Sequence, residues 1–166
     1  MPVLPQSQLL NAVNHATRKL ASSERLDDVL PEVLSICVEA AGAEGGTIYT
    51  HNKAKKTLEF RHVLPEASKA ALQFSDIPDD FGVAGSAFQD RATKITTFEP
   101  KTEDEFARKT GVVVRSMITV PLMMGDEEPI GVVQLINKRE GDFDASDQMV
   151  LETVSAVSTL AFLNFQ

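Results

Sequence analysis

The spacing of apolar residues predicts long helices at both ends of the chain. Between Gln8 and Ala21 apolar side chains recur every three or four residues, and Ser7 stands where a helix cap is expected. The same spacing predicts a second helix from Asp28 to Ala41, which Gly42 ends. The last predicted helix, Asp144–Phe165, carries apolar residues on more than one face. One apolar stripe suffices to pack a surface helix on its own domain, so the surplus predicts a partner helix.

The stretch between these helices has the pattern of β-strands. Thr47–His51 and Thr57–Val63 flank a polar turn, and the second run alternates apolar and polar residues, which predicts a hairpin. Ser116–Met124 and Ile130–Asn137 are apolar on both faces, as central strands are. Shorter elements are predicted in between: helices over Glu66–Ala71, Gly82–Phe88 and Glu103–Lys109, and strands over Gln73–Ile77 and Thr93–Thr96. Strands joined by hairpins and short excursions predict an α+β fold, an antiparallel sheet with helices on its faces.

The chain of 166 residues has the size of one domain, and its charge narrows the classes of partner. Its 24 acidic residues outnumber its 16 basic ones, which gives a formal net charge of -8 at pH 7. This charge repels the phosphate backbone of nucleic acids and an anionic membrane surface, so we predict neither as a partner. The sequence has no apolar run of about 20 residues and no signal-peptide core, which predicts a cytoplasmic protein.

The residues that carry most catalytic and metal chemistry are sparse in this sequence. Cys37 is its single cysteine, which excludes an internal disulfide, and its place on an apolar helix stripe predicts a buried thiol. His15, His51 and His62 lack the spacing of metal ligands, and neither a nucleophile elbow nor a nucleoside-triphosphate loop occurs. We therefore predict no catalytic residue and no metal site.

One segment points towards ligand binding. Gly82 and Gly85 stand three residues apart where a loop enters a predicted helix. Glycine lets the backbone approach another group closely, and the N–H groups at a helix N-terminus attract anions. The spacing alone fits a plain turn with packing glycines equally well.

Several short motifs follow one another in a recognisable order. The order is 82–85 (Gly-Val-Ala-Gly), Thr110-Gly111, Arg115-Ser116, Val120-Pro121, Ile130–Lys138, Phe143 and Asp147. Over about residues 24–166 the chain resembles the GAF domain family, the small-molecule sensor modules of cyclic-nucleotide phosphodiesterases, adenylyl cyclases and bacterial signalling proteins. The pattern Asn-Lys…Phe-x-x-x-Asp is most similar to that of the phosphodiesterase-type GAF domains, although Gln148 replaces the acidic residue that follows there.

The resemblance implies a six-stranded antiparallel sheet at the centre of the α+β fold. The N- and C-terminal helices would lie on one face, and a lid of short helices between Thr97 and Thr110 would cover a pocket on the other. The resemblance also divides the chain into an N-terminal helix over residues 1–23 and a GAF domain over residues 24–166. The last helix would continue towards an output domain or a dimer partner.

The motif residues Asn137, Lys138, Phe143 and Asp147 have a largely structural role in the family, where the Lys and the Asp form a buried ion pair. The sequence agrees with this role, because Asp147 falls in the first turn of the last predicted helix, where a carboxylate is favoured. Lys138 ends the preceding strand and is close enough in sequence to reach it. We therefore expect these residues to support the pocket.

The resemblance also transfers ligand contacts by position. The phosphate of a cyclic nucleotide would lie at the backbone N–H groups of Val83, Ala84 and Gly85, and Thr47 would contact the base. The other implied contacts come from the lid, from neighbouring strands, and from residues suited to stacking or to pairing with a phosphate: Thr110, Val114, Gln134, Phe81 and Arg115.

Two departures from the cyclic-nucleotide binders change the expected pocket. Val114 replaces a hydrogen-bonding Thr, and Arg61-His62 replaces an aromatic-acid pair that reads the base. A site with altered polar groups rejects the original ligand, because buried partners are left unpaired. The leading ligand is nevertheless cAMP or cGMP.

The predicted function is that of a non-enzymatic regulatory domain that binds a small cytoplasmic ligand and signals through its terminal helices, as a homodimer. The alternative is a GAF domain that serves only in dimerisation or protein contact, with its pocket filled by its own side chains. Reductases of free methionine sulfoxide also have the GAF fold, but they use a set of cysteines, which a chain with Cys37 alone does not supply.

Overall fold

A computed structural model of the protein describes residues 26–65, 76–98, 113–123 and 125–163, as well as Asn11, Asn14 and Arg18. In these residues the following elements succeed one another: α1 (Leu26–Ala41), β1 (Ala43–Asn52), β2 (Thr57–Leu64), β3 (Ile77–Pro78), α2 (Gly82–Asp90), β4 (Lys94–Thr97), β5 (Ser116–Leu122), β6 (Gly131–Lys138) and α3 (Ala145–Leu163). Apart from Asn11, Asn14 and Arg18, the predicted helix Gln8–Ala21 lies outside the described residues, as do Glu66–Ala71 and Glu103–Lys109.

The strands form one sheet in the order β3-β2-β1-β6-β5-β4, and each neighbouring pair is antiparallel. This confirms the predicted α+β fold with a six-stranded antiparallel sheet. The strands β1, β6 and β5 lie at its centre, which explains the nearly continuous apolar runs of β5 and β6, since a central strand is covered on both faces.

The main hydrophobic core lies between one face of the sheet and the helices α1 and α3. Ile48, Val133 and Val120 stand opposite one another across the three central strands and are buried in this core. The helices contribute a further buried set: Val29, Val33, Leu34 and Cys37 from α1, and Val150, Leu151 and Val154 from α3. Among the described helices, none is both long and apolar enough to cross a membrane.

The strand β1 begins at Ala43, four residues before the predicted Thr47, and this difference has a steric cause. Gly45 and Gly46 suggest a turn in the sequence, but both lie inside the strand. A Cβ atom on Gly45 would lie 2.6 Å from the Leu64 carbonyl oxygen, and one on Gly46 would lie 2.6 Å from Leu135 Cδ2. The glycines are therefore required by close packing between strands and not by a turn.

The remaining boundaries differ from prediction by a few residues. The strand β5 ends at Leu122 instead of Met124, and β4 is shifted by one residue towards the C-terminus. The strand predicted over Gln73–Ile77 is found as Ile77–Pro78, while residues 73–75 lie outside the described part of the chain. The described elements nevertheless follow one another in the predicted order.

Candidate functional site

The sheet face opposite α1 and α3 carries a row of polar side chains, and we call it the pocket face. Thr47 of β1, Gln134 of β6 and Thr119 of β5 stand directly opposite one another, so their side chains share this face. The Gln134 Nε2 atom donates a hydrogen bond of 3.1 Å to Thr119 Oγ1. Thr119 is fully buried, whereas Thr47 and Gln134 are half-buried. This polar row therefore offers hydrogen-bonding groups in the middle of a sheet.

An apolar wall borders the polar row on one side. It is a second hydrophobic cluster formed by Tyr49, Leu58, Ala84, Phe88 and Val132, with Phe60 and Ile77 packed against it. The Tyr49 and Phe60 rings meet edge to face, with their centroids 6.3 Å apart. Burial raises the pKa of the Tyr49 phenol above its ordinary value of 10.0, so this side chain is neutral.

The helix α2 packs on the pocket face near the end of β1 and the start of β6. Ala84 and Phe88 reach the wall from this helix, while Ile136 and Met117 lie on the far side of the polar row and are half-buried. We call the part of the pocket face that carries Thr47, Gln134, Ile136 and Met117 the open half. The predicted lid residue Thr110 lies outside the described residues.

The start of α2 contains the residues of the expected anion site. Phe81 is the N-cap residue, and the Gly85 N–H donates a 2.9 Å hydrogen bond to the Phe81 carbonyl oxygen, so this N–H does not face a ligand. A Cβ atom on Gly85 would lie 2.4 Å from the backbone carbon of Asp80, which explains the glycine by close packing. The side chain of Ala84 is buried in the wall, Val83 is half-buried, and Phe81 is 62% exposed.

His51 forms a contact that sequence reasoning missed. Its Nε2 atom lies 3.0 Å from Asp79 Oδ2, its Nδ1 atom lies 3.6 Å from Glu128 Oε1, and its ring packs on Phe88 at 4.2 Å between centroids. Gln89 also donates to the Asp79 carboxylate. The contact joins the end of β1 to the turn that precedes α2 and to the last turn of α2. Asp79 is 28 residues away in the chain, so no local pattern could have indicated it.

Arg115 is placed beside the pocket face but is already paired. Its Nη2 atom lies 2.7 Å from Glu44 Oε2, across the end of β6. Val114, the neighbouring position of the expected site, is half-buried in the segment that leads into β5. A phosphate that binds Arg115, as the resemblance implies, would therefore compete with Glu44 for the guanidinium group.

Asn137 closes the end of the sheet next to the site. It is fully buried and adopts a left-handed backbone conformation with φ of 54°, which Asn tolerates better than most residues. Its Oδ1 atom accepts hydrogen bonds from the N–H groups of Arg115 at 2.6 Å and Ser116 at 3.2 Å. Its Nδ2 atom donates to the Val113 carbonyl oxygen at 2.8 Å. One side chain thus fixes the entry of the chain into β5.

Lys138 and Asp147 form an ion pair between β6 and α3, at 2.8 Å from Nζ to Oδ2. Asp144 lies 3.6 Å from the same ammonium group. The two carboxylates also cap α3 reciprocally, since the Asp144 N–H donates to Asp147 and the Asp147 N–H donates to Asp144. Phe143, the remaining motif residue, is buried in the main core. We call Lys138, Asp144 and Asp147 the lock.

The charged groups of the lock shift one another's pKa values. Burial acts to lower the pKa of Lys138, but the hydrogen bond and charge of Asp147 and the charge of Asp144 more than offset it and raise the pKa. Burial acts to raise the pKa of Asp144, but the Asp147 N–H and the Lys138 charge outweigh it and lower the pKa. For Asp147, burial raises the pKa and its partners offset this only in part. The folded structure therefore favours the charged forms of Lys138 and Asp144, whereas it favours protonation of Asp147.

Cys37 lies in the main core and is inert by its surroundings. Its side chain is fully buried, and the loss of solvation raises the pKa of the thiol to about 12. Among the described residues, no group of three or more His, Cys, Asp and Glu is arranged to bind a metal ion.

The burial of Cys37 predicts its reactivity. A thiol-specific reagent such as an aromatic disulfide should label the native chain at least about a hundredfold more slowly than the unfolded chain at neutral pH, because both the thiolate and access to it are missing. The rate of release of the coloured leaving group measures this directly. Labelling of the native chain at the unfolded rate would contradict the buried placement.

A family model, described as GAF domain, matches residues 23–162. The chain belongs to the GAF domain family. No curated protein matches its sequence. The solved structures confirm the fold: the GAF domain of a phosphoenolpyruvate-protein phosphotransferase from Acinetobacter matches with a TM-score of 0.73, at 18% identity over 97% of this chain and 95% of the other.

Two further solved structures illustrate how differently this fold is used. Free methionine-R-sulfoxide reductase from Neisseria meningitidis, in complex with its substrate, matches with a TM-score of 0.73, at 19% identity over 95% of this chain and 89% of the other. Residues 122 to 287 of a methyl-accepting chemotaxis protein match with a TM-score of 0.67, at 17% identity over 90% of this chain and 96% of the other. The expected likeness to phosphodiesterase-type GAF domains finds no support in these structures.

Proposed function

We propose that this GAF domain is a regulatory module that binds a small molecule on the open half of the pocket face. The observation that carries the proposal is the polar row, because Thr47 and Gln134 remain half-buried at the centre of a six-stranded sheet. Such a position in a sheet is usually sealed by apolar packing, as it is on the opposite face by Ile48 and Val133. A few polar groups among apolar and aromatic walls are typical of small-molecule sites.

The state of the thiol supports a non-enzymatic role over the thiol chemistry of a reductase. A cysteine that attacks a sulfoxide needs a thiolate that the substrate can reach. Cys37 is the single cysteine of the chain, is fully buried on the helix side of the sheet and has a pKa raised to about 12. The likeness to a free methionine-R-sulfoxide reductase therefore supports a shared fold and not a shared thiol mechanism.

Cyclic nucleotides remain the first specific ligands to test, because the family resemblance assigns Thr47 to the base and the start of α2 to the phosphate. The half-buried hydroxyl of Thr47 and carboxamide of Gln134 support this choice, because they offer hydrogen-bond donors and acceptors to the edge of a base. Two observations weigh against the phosphate: the Gly85 N–H is used within α2, and Arg115 is paired with Glu44. The cytoplasm is the compartment in which such a ligand would be met.

The lock suggests how binding would be transmitted. Gln134 and Lys138 lie on the same strand, β6, and Lys138 contacts the first turn of α3 through Asp147. A shift of β6 on binding would therefore move the start of α3. The proposed output is a change in the arrangement of the terminal helices.

A ligand screen with matched variants tests the proposal. A compound that raises the melting temperature of the wild type should bind Thr47→Val and Gln134→Met about tenfold more weakly, the factor expected for one lost hydrogen bond to a half-buried group. Thr153→Val, which makes the same change on α3, should bind normally, because Thr153 contacts the Met149 carbonyl oxygen far from the pocket face. Titration calorimetry measures the affinities.

Two results together would contradict ligand binding. One is the absence of any melting shift across cyclic nucleotides, nucleosides and free amino-acid derivatives. The other is native mass spectrometry of the freshly purified chain that shows the bare polypeptide mass. Under those results the pocket is filled by the domain's own residues.

A second candidate function, dimerisation, is favoured by the outer side of α3. Met149 is 44% exposed and Leu160 is 53% exposed, and they lie three helical turns apart on the same side. A shallow groove runs along this side between Met149 and Ala156. The proposed partner is a second copy, joined through the terminal helices.

The dimer proposal has its own test. Leu160→Asp should shift the chain from dimer to monomer in size-exclusion chromatography with light scattering, because it places a charge in an apolar helix contact. Phe81→Asp is the matched control, since Phe81 is 62% exposed at the N-cap of α2, which packs on the opposite face of the sheet from α3. A wild-type monomer at all concentrations would rule the dimer out.

A further inference from the structure

The charged groups at the pocket face are already matched in pairs. Arg115 lies 2.7 Å from Glu44, and Lys94, which stands opposite Thr119 in the register, lies 2.7 Å from Asp90. The Lys94 ammonium holds the pKa of the Asp90 carboxyl below its usual range. His51, at the wall, lies against Asp79. The two described cations placed at this face, Arg115 and Lys94, thus each contact a carboxylate.

The two segments that connect these strands outside the described residues have no excess of basic residues in their sequence. Between β2 and β3, residues 66–75 contain one acidic and one basic residue. Between β4 and β5, residues 99–112 contain four acidic residues against three basic ones. The whole chain carries a net charge of -8. An anion that approaches the face therefore meets repulsion at long range, and the described residues offer it no uncompensated cation at short range.

The polar row offers paired neutral groups instead. One N–H of the Gln134 carboxamide is used by Thr119, which leaves its second N–H and its Oε1 atom side by side. The Thr47 hydroxyl, directly opposite, donates and accepts. A donor next to an acceptor is complementary to the edge of an amide, a lactam or a nucleobase. The ring edges of Tyr49 and Phe60 lie beside this row.

We infer that the ligand of this site is an uncharged, flat, heteroaromatic molecule of the nucleobase, nucleoside or aromatic-carboxamide class, and not an anion such as a nucleotide. A charge taken out of water without a partner is strongly disfavoured, and Arg115 and Lys94, the described cations placed at this face, would have to leave a carboxylate to provide one. The inference rests on the proposed ligand-binding function and specifies its chemistry.

Matched pairs of probes test the inference in the full chain. Adenosine and cAMP, guanosine and cGMP, and nicotinamide and nicotinate each share a ring and differ in charge. Within at least one pair the neutral member should bind at least about tenfold more tightly, as measured by calorimetry. An anionic member that binds as tightly as its neutral counterpart overturns the inference and leaves the proposed function standing. Failure of all six probes, together with a bare polypeptide mass, overturns the proposed function itself.

A charge-release variant gives a second, independent readout. Glu44→Gln removes the carboxylate that holds Arg115, so it should raise the affinity for the anionic member of a pair at least about fivefold and leave the neutral member unchanged. Glu152→Gln is the matched control, because it makes the same change in net charge on α3, where Glu152 accepts from Thr93. An equal gain in both variants would show that net charge alone sets the preference and would overturn the inference.

Discussion

Asn137→Ala should lower the free energy of unfolding by about 3 kcal/mol, because two backbone N–H groups and one carbonyl lose their partner at once. The Asn137 side chain accepts from Arg115 and Ser116 and donates to Val113, and it is fully buried, so water does not replace it. Alanine is also strained at the φ of 54° that this position adopts. Urea denaturation followed by circular dichroism measures the change.

Two control variants separate the causes of that loss. Asn137→Gly keeps the backbone conformation and removes the hydrogen bonds, so it should recover only the strain, about 1 kcal/mol. Asn137→Asp keeps an acceptor for Arg115 and Ser116 and loses the donor to Val113. If Asn137→Ala unfolds at the same urea concentration as the wild type, the side chain does not hold the entry to β5.

Asp147→Ala is expected to cost about 3 kcal/mol, near the lower end for a broken buried ion pair, because the partner ammonium retains some access to water. Asp147 is 2% exposed and the Lys138 side chain is 21% exposed. The substitution leaves the Lys138 charge with Asp144 alone and removes half of the reciprocal cap of α3. Thermal and urea unfolding measure the loss, and ligand affinity should fall with it because β6 carries both Gln134 and the lock.

The contribution of the lock to the free energy of unfolding should depend on pH in a way that identifies Lys138. The pKa of Lys138 is raised in the folded state, so its stabilising effect is fully present below the ordinary value of 10.5 and is lost as the pH rises through the raised value. The gap in stability between the wild type and Lys138→Met should therefore be constant at neutral pH and narrow in strongly alkaline solution. A gap that does not change in alkaline solution, or an Asp147→Ala variant that melts with the wild type, would contradict the lock.

The fold was accessible from the sequence because its signals are periodic and local. The apolar runs of β5 and β6 and the stripes of α1 and α3 each lie within about twenty residues, which is the range over which such patterns are read. The start of β1 was missed because Gly45 and Gly46 look like a turn unless one knows that Leu64 and Leu135 lie against them. The positions of Leu64 and Leu135 depend on how β2 and β6 pair with β1, which a local sequence pattern does not contain.

The site was only partly accessible, for the same reason. Thr47 and Gln134 were expected from the family resemblance, and the register places them side by side. Thr119 was missed, since a single Thr inside the apolar run of β5 carries no signal of its own. The pairing of Arg115 with Glu44 joins residues 71 positions apart, and no local pattern predicts such a contact. The charge balance of a pocket therefore depends on coordinates.

The inert thiol has a practical consequence for experiments that label this domain with thiol-directed probes. Because Cys37 is the single cysteine of the sequence and is sealed in the core, a probe directed at thiols finds no native target in the folded protein. A cysteine introduced at the exposed Phe81 would then carry a fluorophore or a spin label at one known position. Changes in the surroundings of the start of α2 could be followed during titration in the otherwise unaltered polypeptide.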